Sequence, residues 1–508
     1  MHTINPRLPY ITLFLLIFNF LIIRTAWLSD DIFITFRTVL NWLHGSGAVF
    51  NIGERVQAYT HPLWFLLLSG GTWLFGNIFY VTFGLSIILS VGTLWLLLKY
   101  YAIDIPKILL LAIILCCSKA FIDYSTSGLE NVLAYFLLTL IILSVNQIPK
   151  NIYQLSLFTL LASLLFLTRA DLILLITPLI IYICWQVRTS HIVITGLLLG
   201  SLPALAWLGF STFYYGFPFP NTAYAKLGTG IPTLELILQG GYYFLDSLDR
   251  DPITLLTIFF SLIISFLYAS YKLKALALGI MLYLLYILFI GGDFMSGRFF
   301  AAPLLVATIL LIHYPSSIFK PIFLIVFLLI GFSPLFASNL FSNSNYKNQN
   351  VNAKGIADER AYYFQERGLI TGYRQRFNML PWKKFPLPNK VEIFCDILGV
   401  KSLQMPTIHI IDPCALTDPL LARLSASYTP QWRIGHFIRP IPDGYAKSIQ
   451  TNTNQLHDSA LHKYYEKLSL ITHGELFSKE RLLAIWEINQ GKYQPWLNSY
   501  QNDRQNKK

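Results

Sequence analysis

Eleven long apolar stretches run through most of this chain, and they limit what it can fold into more than any other feature. A helix needs roughly 20 apolar residues to cross a bilayer upright, so the shorter stretches have approximate ends. The pattern predicts a mostly α fold, a polytopic transmembrane helical bundle of about 11 spans. The stretches lie at about residues 8–28, 79–98, 107–122, 130–146, 153–168, 171–187, 191–213, 252–270, 275–290, 299–313 and 320–340.

Composition excludes a water-soluble enzyme for most of the chain. Hydrophobic residues make up 55% of it and charged residues 13%, whereas soluble proteins carry roughly 25% charged residues. Residues 1–342 hold 16 basic and 12 acidic side chains, and residues 343–508 hold 22 and 14. A membrane-embedded body is therefore followed by a more polar, basic domain.

The distribution of basic residues orients the bundle. With the N-terminus in the cytoplasm, the predicted inner loops hold one acid, Asp104, and eight bases, as the positive-inside rule requires. A further apolar segment, Pro62–Phe75, is too short to span and contains two adjacent glycines, so it is predicted to be interfacial or re-entrant. The odd number of spans then places the C-terminal domain outside the cytoplasm. The eight bases are Arg7, Lys99, Lys107, Lys150, Arg188, Lys272, Lys274 and Lys320.

The chain is accordingly predicted to have two domains. Residues 1–341 form the transmembrane module, with an outer loop at 29–78, and residues 342–508 form an extracytoplasmic α/β domain. Within this second domain we predict buried strands at 391–396 and 407–412 and helices at about 418–425 and 479–488. Cys395 and Cys414 either pair in an oxidising compartment or remain separate core thiols.

Two adjacent carboxylates, Asp30 and Asp31, follow the first predicted span. Their repulsion and partial burial suit a base that takes a proton in a partly dry cleft. The alternative is that one of them caps a predicted helix at 32–43. The glycine-rich run after this helix requires tight turns and positions Arg55.

Four more polar clusters fall on the predicted outer side, at 125–130, 168–171, 218–226 and 291–299. Each has a structural explanation by itself, such as a local ion pair, a turn, or a base that reaches the interface. Together they favour an outward-facing site lined by carboxylates and cations. Their candidate site residues are Glu130, Arg169, Asp171, Asn221, Lys226, Asp293 and Arg298. We expect no nucleic-acid partner, because the basic domain lies outside the cytoplasm and better suits anionic lipid or glycan.

An Asp-Asp pair outside the first span of a many-span protein resembles the GT-C superfamily of membrane glycosyltransferases. A longer series resembles the bacterial branch that includes the mycobacterial terminal arabinofuranosyltransferase. This series comprises Asp30, Asp31, Arg37, Asn41, Gly45, Gly47, Asn51, Gly53, Glu54, Arg55, Val56, Tyr59, Thr60, Pro62, Leu63 and Trp64. This chain also resembles the branch at residues 127–130, 220–222, 291–293, 411–412 and 416–418. The chain departs from it at Gln57, Ala58 and His61 and at 169–172, and these departures concern the sugar and acceptor rather than the class.

The resemblance implies a transferase that moves a sugar from a polyprenyl-phosphate donor to an envelope glycan or glycolipid acceptor, with inversion. Asp30 or Asp31 is then the catalytic base, and Arg37, Arg55, Lys226 and Arg298 bind the donor phosphate. The cleft is shaped by Glu130, Arg169, Asp171, Asn221 and Asp293. No cofactor is certain, and a divalent metal remains open because members of the superfamily differ. The alternative function is a non-catalytic membrane protein or a transporter of lipid-linked glycans.

Overall fold

The computed structural model describes residues 6–315, 351–372, 386–388, 390–428 and 432–506, which are mostly helical. The first fifteen α-helices are α1 Leu8–Arg24, α2 Asp30–Leu43, α3 Pro62–Phe75, α4 Ile78–Tyr100, α5 Ile105–Cys117, α6 Lys119–Tyr124, α7 Asn131–Ser144, α8 Ile152–Thr168, α9 Ile173–Val187, α10 Ser190–Tyr215, α11 Asn221–Leu227, α12 Thr233–Arg250, α13 Pro252–Tyr268, α14 Tyr271–Phe289 and α15 Ala301–Ile312.

The remaining described elements include one parallel pair of strands, β1 Lys390–Ile393 and β2 Ile408–Ile411. The helices are α16 Glu359–Arg367, α17 Leu398–Gln404, α18 Tyr445–Thr451, α19 Ser459–His473, α20 Lys479–Asn489 and α21 Gln494–Asn506. Three short 3₁₀ helices cover Ala170–Leu172, Arg298–Phe300 and Leu421–Arg423.

Ten of the eleven predicted apolar stretches lie on helices, and the eleventh, 320–340, falls outside the described residues. Four described helices are long and apolar enough to cross a membrane, and α12 with α13, bent by 111°, would make a fifth. The other apolar helices are shorter. The short segment Pro62–Phe75 is one continuous apolar helix of 14 residues. The four long helices are Ile78–Tyr100, Ala170–Val187, Ser190–Tyr215 and Tyr271–Phe289.

The chain folds into two compact units that do not follow the predicted boundary at residue 341. The first unit comprises Met1–Ser29, Phe79–Ala204 and Pro232–Gln375. The second unit comprises Asp30–Ile78, Leu205–Ile231 and Arg376–Lys508. The predicted outer loop at 29–78 therefore packs with the C-terminal region, because its polar side chains form hydrogen bonds with residues far along the chain.

The second unit contains a β-α-β arrangement in which α17 connects β1 to β2. The main core of this unit includes Ile411 and Leu468, and a smaller core joins Ile34, Leu398 and Ile410. Both strands are present as predicted, but β1 is largely exposed rather than buried, because it is the outer member of a two-stranded sheet.

Two other predictions for this region have clear outcomes. The helix predicted at 418–425 is only a 3₁₀ turn, Leu421–Arg423, because the main chain becomes extended at Leu424. Asp418 accepts bonds from the main-chain N–H groups of Leu420 and Leu421 at the start of this turn. The helix predicted at 479–488 is present as α20. Cys395 and Cys414 form a disulfide that joins the segments following the two strands, with their Cα atoms 5.7 Å apart.

Candidate functional site

The Asp-Asp pair opens α2, where negative side chains are favoured by the partial positive charge of a helix N-terminus. The carboxylate of Asp30 accepts hydrogen bonds from the main-chain N–H groups of Gly399 (2.8 Å) and Val400 (3.1 Å). These N–H groups belong to the first turn of α17 and have no partner within that helix. Asp30 therefore caps a helix almost 370 residues further along the chain.

Gly399 makes this cap possible, because α2 and α17 approach each other closely there. A Cβ atom at this position would lie 2.0 Å from the main-chain oxygen of Asp30. No side chain fits in that space without moving one of the two helices. The glycine thus brings the N-terminus of α17 within hydrogen-bond reach of the Asp30 carboxylate.

Arg37, two turns after Asp30, bonds to the other end of α17. Its guanidinium donates to the main-chain oxygens of Ser402 and Met405 (3.1 Å), where α17 ends, and to that of Ile408 (2.7 Å). Its Nε donates to the oxygen of Phe50 at 2.7 Å. Thus α17 has an acid at its N-terminus and a base at its C-terminus, the arrangement that a helix dipole favours.

This geometry corrects the prediction that Arg37 binds the donor phosphate. The side chain is fully buried, and its donors already bond to four main-chain oxygens. Burial also lowers its pKa to about 9. Arg37 on α2 therefore connects α2 to the C-terminal end of α17 through these hydrogen bonds.

Asp31 is partly exposed at the start of α2. Neighbouring residues on a helix point about 100° apart, so the two carboxylates cannot perform the same task. The structure separates them as expected for a pair in which one member caps a helix. The cap differs from the predicted one, since Asp30 bonds to the first turn of α17.

The glycine-rich run after α2 forms the predicted tight turns, with positive φ angles at Gly45, Gly47 and Gly53. Asn51 follows the first two glycines and bonds to the main-chain N–H (3.0 Å) and oxygen (2.9 Å) of Ile410 in β2. The buried Glu54 accepts from Asn51 at 3.3 Å. Burial and, to a smaller extent, the nearby Asp418 carboxylate raise the pKa of Glu54 to about 8.

Arg55 and Asn221 are also largely engaged with the main chain. Arg55 donates to the oxygens of Ile471 (3.4 Å) and Gly474 at the end of α19. Asn221 donates to the oxygens of Ala415 and Asp418, both at 3.0 Å. Both residues line a cavity of about 10 Å³, the size of one water molecule.

Sequence reasoning missed Arg423, which lines the same cavity and donates to the Asn221 side chain at 3.2 Å. Its guanidinium lies over the Phe217 ring, 3.8 Å from the centroid. The basic residue within the predicted helix at 418–425 was the one available signal. Lys226, by contrast, is exposed in the last turn of α11.

In the first unit the structure brings together five predicted residues that lie far apart in the sequence. We call Glu130, Arg169, Asp171, Asp293 and Arg298 the charge network. Arg169 forms two bonds with Asp171, at 2.6 and 3.2 Å. Glu130 lies 3.7 Å from Arg169 and 3.2 Å from Arg298, and Asp293 lies 3.6 Å from Arg298.

The charge network is largely buried and has one more carboxylate than it has guanidinium groups. Tyr283 donates to Asp171 at 2.6 Å, and the Phe299 ring lies 4.9 Å from the Arg169 guanidinium carbon. Because Asp171 is bound by both Arg169 and Tyr283, the predicted local ion pair exists, but it is part of a larger set. Side chains paired with one another in this way can exchange partners when an anion arrives.

A second buried set in the first unit was not predicted. Lys119 bonds to Asp123 and lies 3.0 Å from Asp358, and Arg360 lies 2.8 Å from Asp123. Lys119 and Asp123 are one helical turn apart, and that spacing within an apolar context was the signal available in the sequence.

One group of described residues has the spacing of metal ligands. The group with ligand spacing is Cys395, Asp412 and Cys414. The two cysteines are joined as a disulfide, and Asp412 accepts main-chain N–H bonds from Cys414, Leu416 and Thr417. These groups do not suit a hard divalent cation, which prefers free oxygen ligands. The mechanism proposed for this chain contains no metal-dependent step.

Comparison with known proteins finds similarity over part of the chain. No family model matches it, and no solved structure matches it. A terminal β-(1→2)-arabinofuranosyltransferase of Mycobacterium tuberculosis is 34% identical over 230 residues, which cover 41% of this chain and 36% of that protein. A protein of the same name from Corynebacterium glutamicum is 37% identical over 116 residues, covering 20% and 16%.

The matches thus extend over well under two thirds of the length of these relatives. They confirm the resemblance predicted from the sequence motifs. Over the matched part, this chain is similar to proteins named as terminal arabinofuranosyltransferases.

Proposed function

We propose that this chain is an integral-membrane glycosyltransferase of the GT-C type. It moves a sugar from a polyprenyl-phosphate donor to a cell-envelope glycan or glycolipid on the outer side of the cytoplasmic membrane. The partial identity to named arabinofuranosyltransferases supports the reaction class and makes an arabinofuranosyl group the first sugar to test. The long apolar helices support the membrane location.

The Cys395–Cys414 disulfide supports the outer location of this region. Disulfides persist in oxidising compartments and are rare in the cytosol. The proposal therefore keeps an N-terminus in the cytoplasm and a C-terminal region outside it, with an odd number of spans between them. A supply of nucleotide sugars is absent from that side, which favours a donor carried on lipid phosphate.

In the proposed mechanism Asp31 is the base. It removes the proton from an acceptor hydroxyl, whose oxygen attacks the anomeric carbon and inverts it, and the lipid phosphate departs with the bonding electrons. The observation that carries this assignment is the pair of N–H bonds from α17 to Asp30. Asp30 and Asp31 are both partly exposed. Asp30 would have to break its cap of α17 to accept a substrate proton.

The departing phosphate gains negative charge, which cations stabilise most in the transition state. Arg298 of the charge network and the exposed Lys226 are the proposed ligands for this phosphate. Arg37 is not proposed as a phosphate ligand, because its donors bond to main-chain oxygens. Arg55 likewise bonds to main-chain oxygens at the end of α19. Glu130, Arg169, Asp171 and Asp293 hold Arg298 in place, and Asn221 organises the segment around residues 415–418.

The test compares Asp31→Asn with Asp30→Asn in vesicles given polyprenyl-phosphate arabinofuranose and an arabinan oligosaccharide. We expect Asp31→Asn to lower turnover by about 10²–10⁴, the usual contribution of a positioned base. Asp30→Asn keeps an acceptor oxygen for α17 and should retain much of the activity. Full transfer by both variants would exclude a catalytic pair, and a loss confined to Asp30→Asn would reverse the assignment. A transporter or scaffold would yield no transfer product with either the wild-type chain or the variants.

A further inference from the structure

Most of the large side chains that helix α12 exposes are apolar, whereas its polar residues Gln239, Asp246 and Ser247 are buried. The charged residue on the exposed face is Asp249, near the C-terminal end of the helix. Leu234, Leu238 and Leu245 are 68, 54 and 60% exposed, and Tyr242 and Leu248 are also exposed. At 100° per residue these five side chains fall within an arc of about 120°. A helix of a soluble protein shows the opposite arrangement, with its apolar stripe toward the core.

The opposite face of α12 holds the loop that carries Arg298. Tyr243 donates to the main-chain oxygen of Met295 at 3.0 Å and accepts from the N–H of Phe299 at 3.1 Å. Asp246 accepts from the Ser296 hydroxyl at 2.6 Å. The main-chain position of Arg298 is therefore fixed by its neighbours on both sides.

The direction of α12 follows from the break after Arg250. There the chain turns by 111° into α13, a mostly apolar helix of 17 residues, which is close to the length needed to cross a bilayer. A helix roughly perpendicular to a spanning helix lies in the plane of the membrane. Gly240, on the buried face of α12, packs against the main chain of Leu288 near the end of α14.

We propose that α12 is an interfacial helix whose leucines lie among lipid acyl chains at the headgroup boundary, and that it sets the depth at which Arg298 meets the phosphate of a lipid-linked substrate. The second part rests on the proposed function. An in-plane helix with its apolar face in the acyl-chain boundary is the arrangement that monotopic membrane helices adopt. A loop bound to its inner face then lies at the level of lipid phosphates.

Photo-crosslinking tests the membrane contact without requiring turnover. The photoreactive residue p-benzoylphenylalanine replaces Leu238, Leu245 or, as a matched control, Leu483, which is 54% exposed on α20 of the second unit. The full chain is reconstituted in vesicles of phosphatidylethanolamine and phosphatidylglycerol, irradiated and weighed by mass spectrometry. We expect lipid adducts at 238 and 245 and not at 483. Adducts between two copies of the chain, or no lipid adducts at 238 and 245, would overturn the proposal.

Enzyme kinetics test whether α12 sets the depth of Arg298 relative to the lipid phosphates. The double variant Leu238→Gln/Leu245→Gln should raise the KM for the polyprenyl-phosphate donor about tenfold, with kcat and thermal unfolding little changed. Leu483→Gln should change none of these. Lipid adducts combined with an unchanged KM would overturn the positioning role. Crosslinking repeated in Asp31→Asn keeps the membrane contact separate from any failure of the proposed catalytic function.

Discussion

The two compact units use their buried arginines differently. In the second unit Arg37, Arg439 and Arg481 are buried, and their described hydrogen bonds go to main-chain oxygens. In the first unit Arg169 and Arg298 bind carboxylates. A carbonyl of the main chain is fixed by the fold, whereas a carboxylate side chain can rotate. Buried arginines of the first kind stabilise a fold, and those of the second kind can also exchange partners with a ligand.

The largest expected effect separates these two kinds of arginine. Arg37→Met should lower the free energy of unfolding by about 3 kcal/mol or more, because each lost bond to a charged group contributes roughly 1.5–3 kcal/mol. Arg298→Met should cost less, since Glu130 keeps Arg169 as a partner. Unfolding in detergent followed by circular dichroism measures both. Equal losses would contradict the distinction.

The next effect concerns activity. Arg298→Gln should slow transfer by about 10- to 1,000-fold, the cost of removing one electrostatic stabiliser of a developing charge, while the protein still folds. Lys463→Gln, at an exposed base of α19, is the control and should leave the rate unchanged. If Arg298→Gln turned over normally, the charge network would be purely structural.

A third comparison concerns a buried acid of the second unit, Glu54, whose described basic neighbour is the His409 imidazole at 3.9 Å. Burial lowers the pKa of His409 to about 3, so this imidazole is uncharged near neutral pH. Burial raises the pKa of Glu54 from 4.5 to about 8. Since the unfolded chain ionises first, the stability from neutral Glu54 is complete below pH 4.5 and is lost as the pH rises to 8. Glu54→Gln should therefore unfold at a higher temperature than the wild type at pH 8, and the difference should vanish near pH 4. A pH-independent difference would contradict this account.

The smallest effect tests the cap of α17. Asp30→Ala should lose about 1 kcal/mol of stability, the usual value for a lost N-cap, and keep part of its activity. Asp30→Asn should lose less, because the amide oxygen still accepts an N–H bond. Thermal unfolding of the two variants side by side measures this difference. Identical stability of all three proteins would show that the cap contributes little.

Local pattern was sufficient to predict the apolar helices, α2, α20 and both strands. It did not predict α12, α17 or α19, and the helix predicted at 418–425 is a 3₁₀ turn. Roughly twenty neighbouring residues or fewer are enough to encode each of these local features: the apolar stretches, the polar start of α2 and the glycine turns. The pairing of Asp30 and Arg37 with α17 was not predictable, because neither residue has a local signal for a partner some 365 residues away. The charge network was foreseen as a set of clusters, whereas its actual pairs depend on how distant loops meet.

The bonds between α2 and α17 also fix the order in which the protein can mature. Asp30 and Arg37 leave the ribosome early, whereas their partners follow some 365 residues later. At synthesis rates of 5–20 residues per second, the delay is about 20–70 s. Throughout that interval α2 lacks the helix that it will hold. A nascent chain therefore cannot assemble the second unit before α17 has been synthesised, and only then does the Asp-Asp segment gain its partner helix.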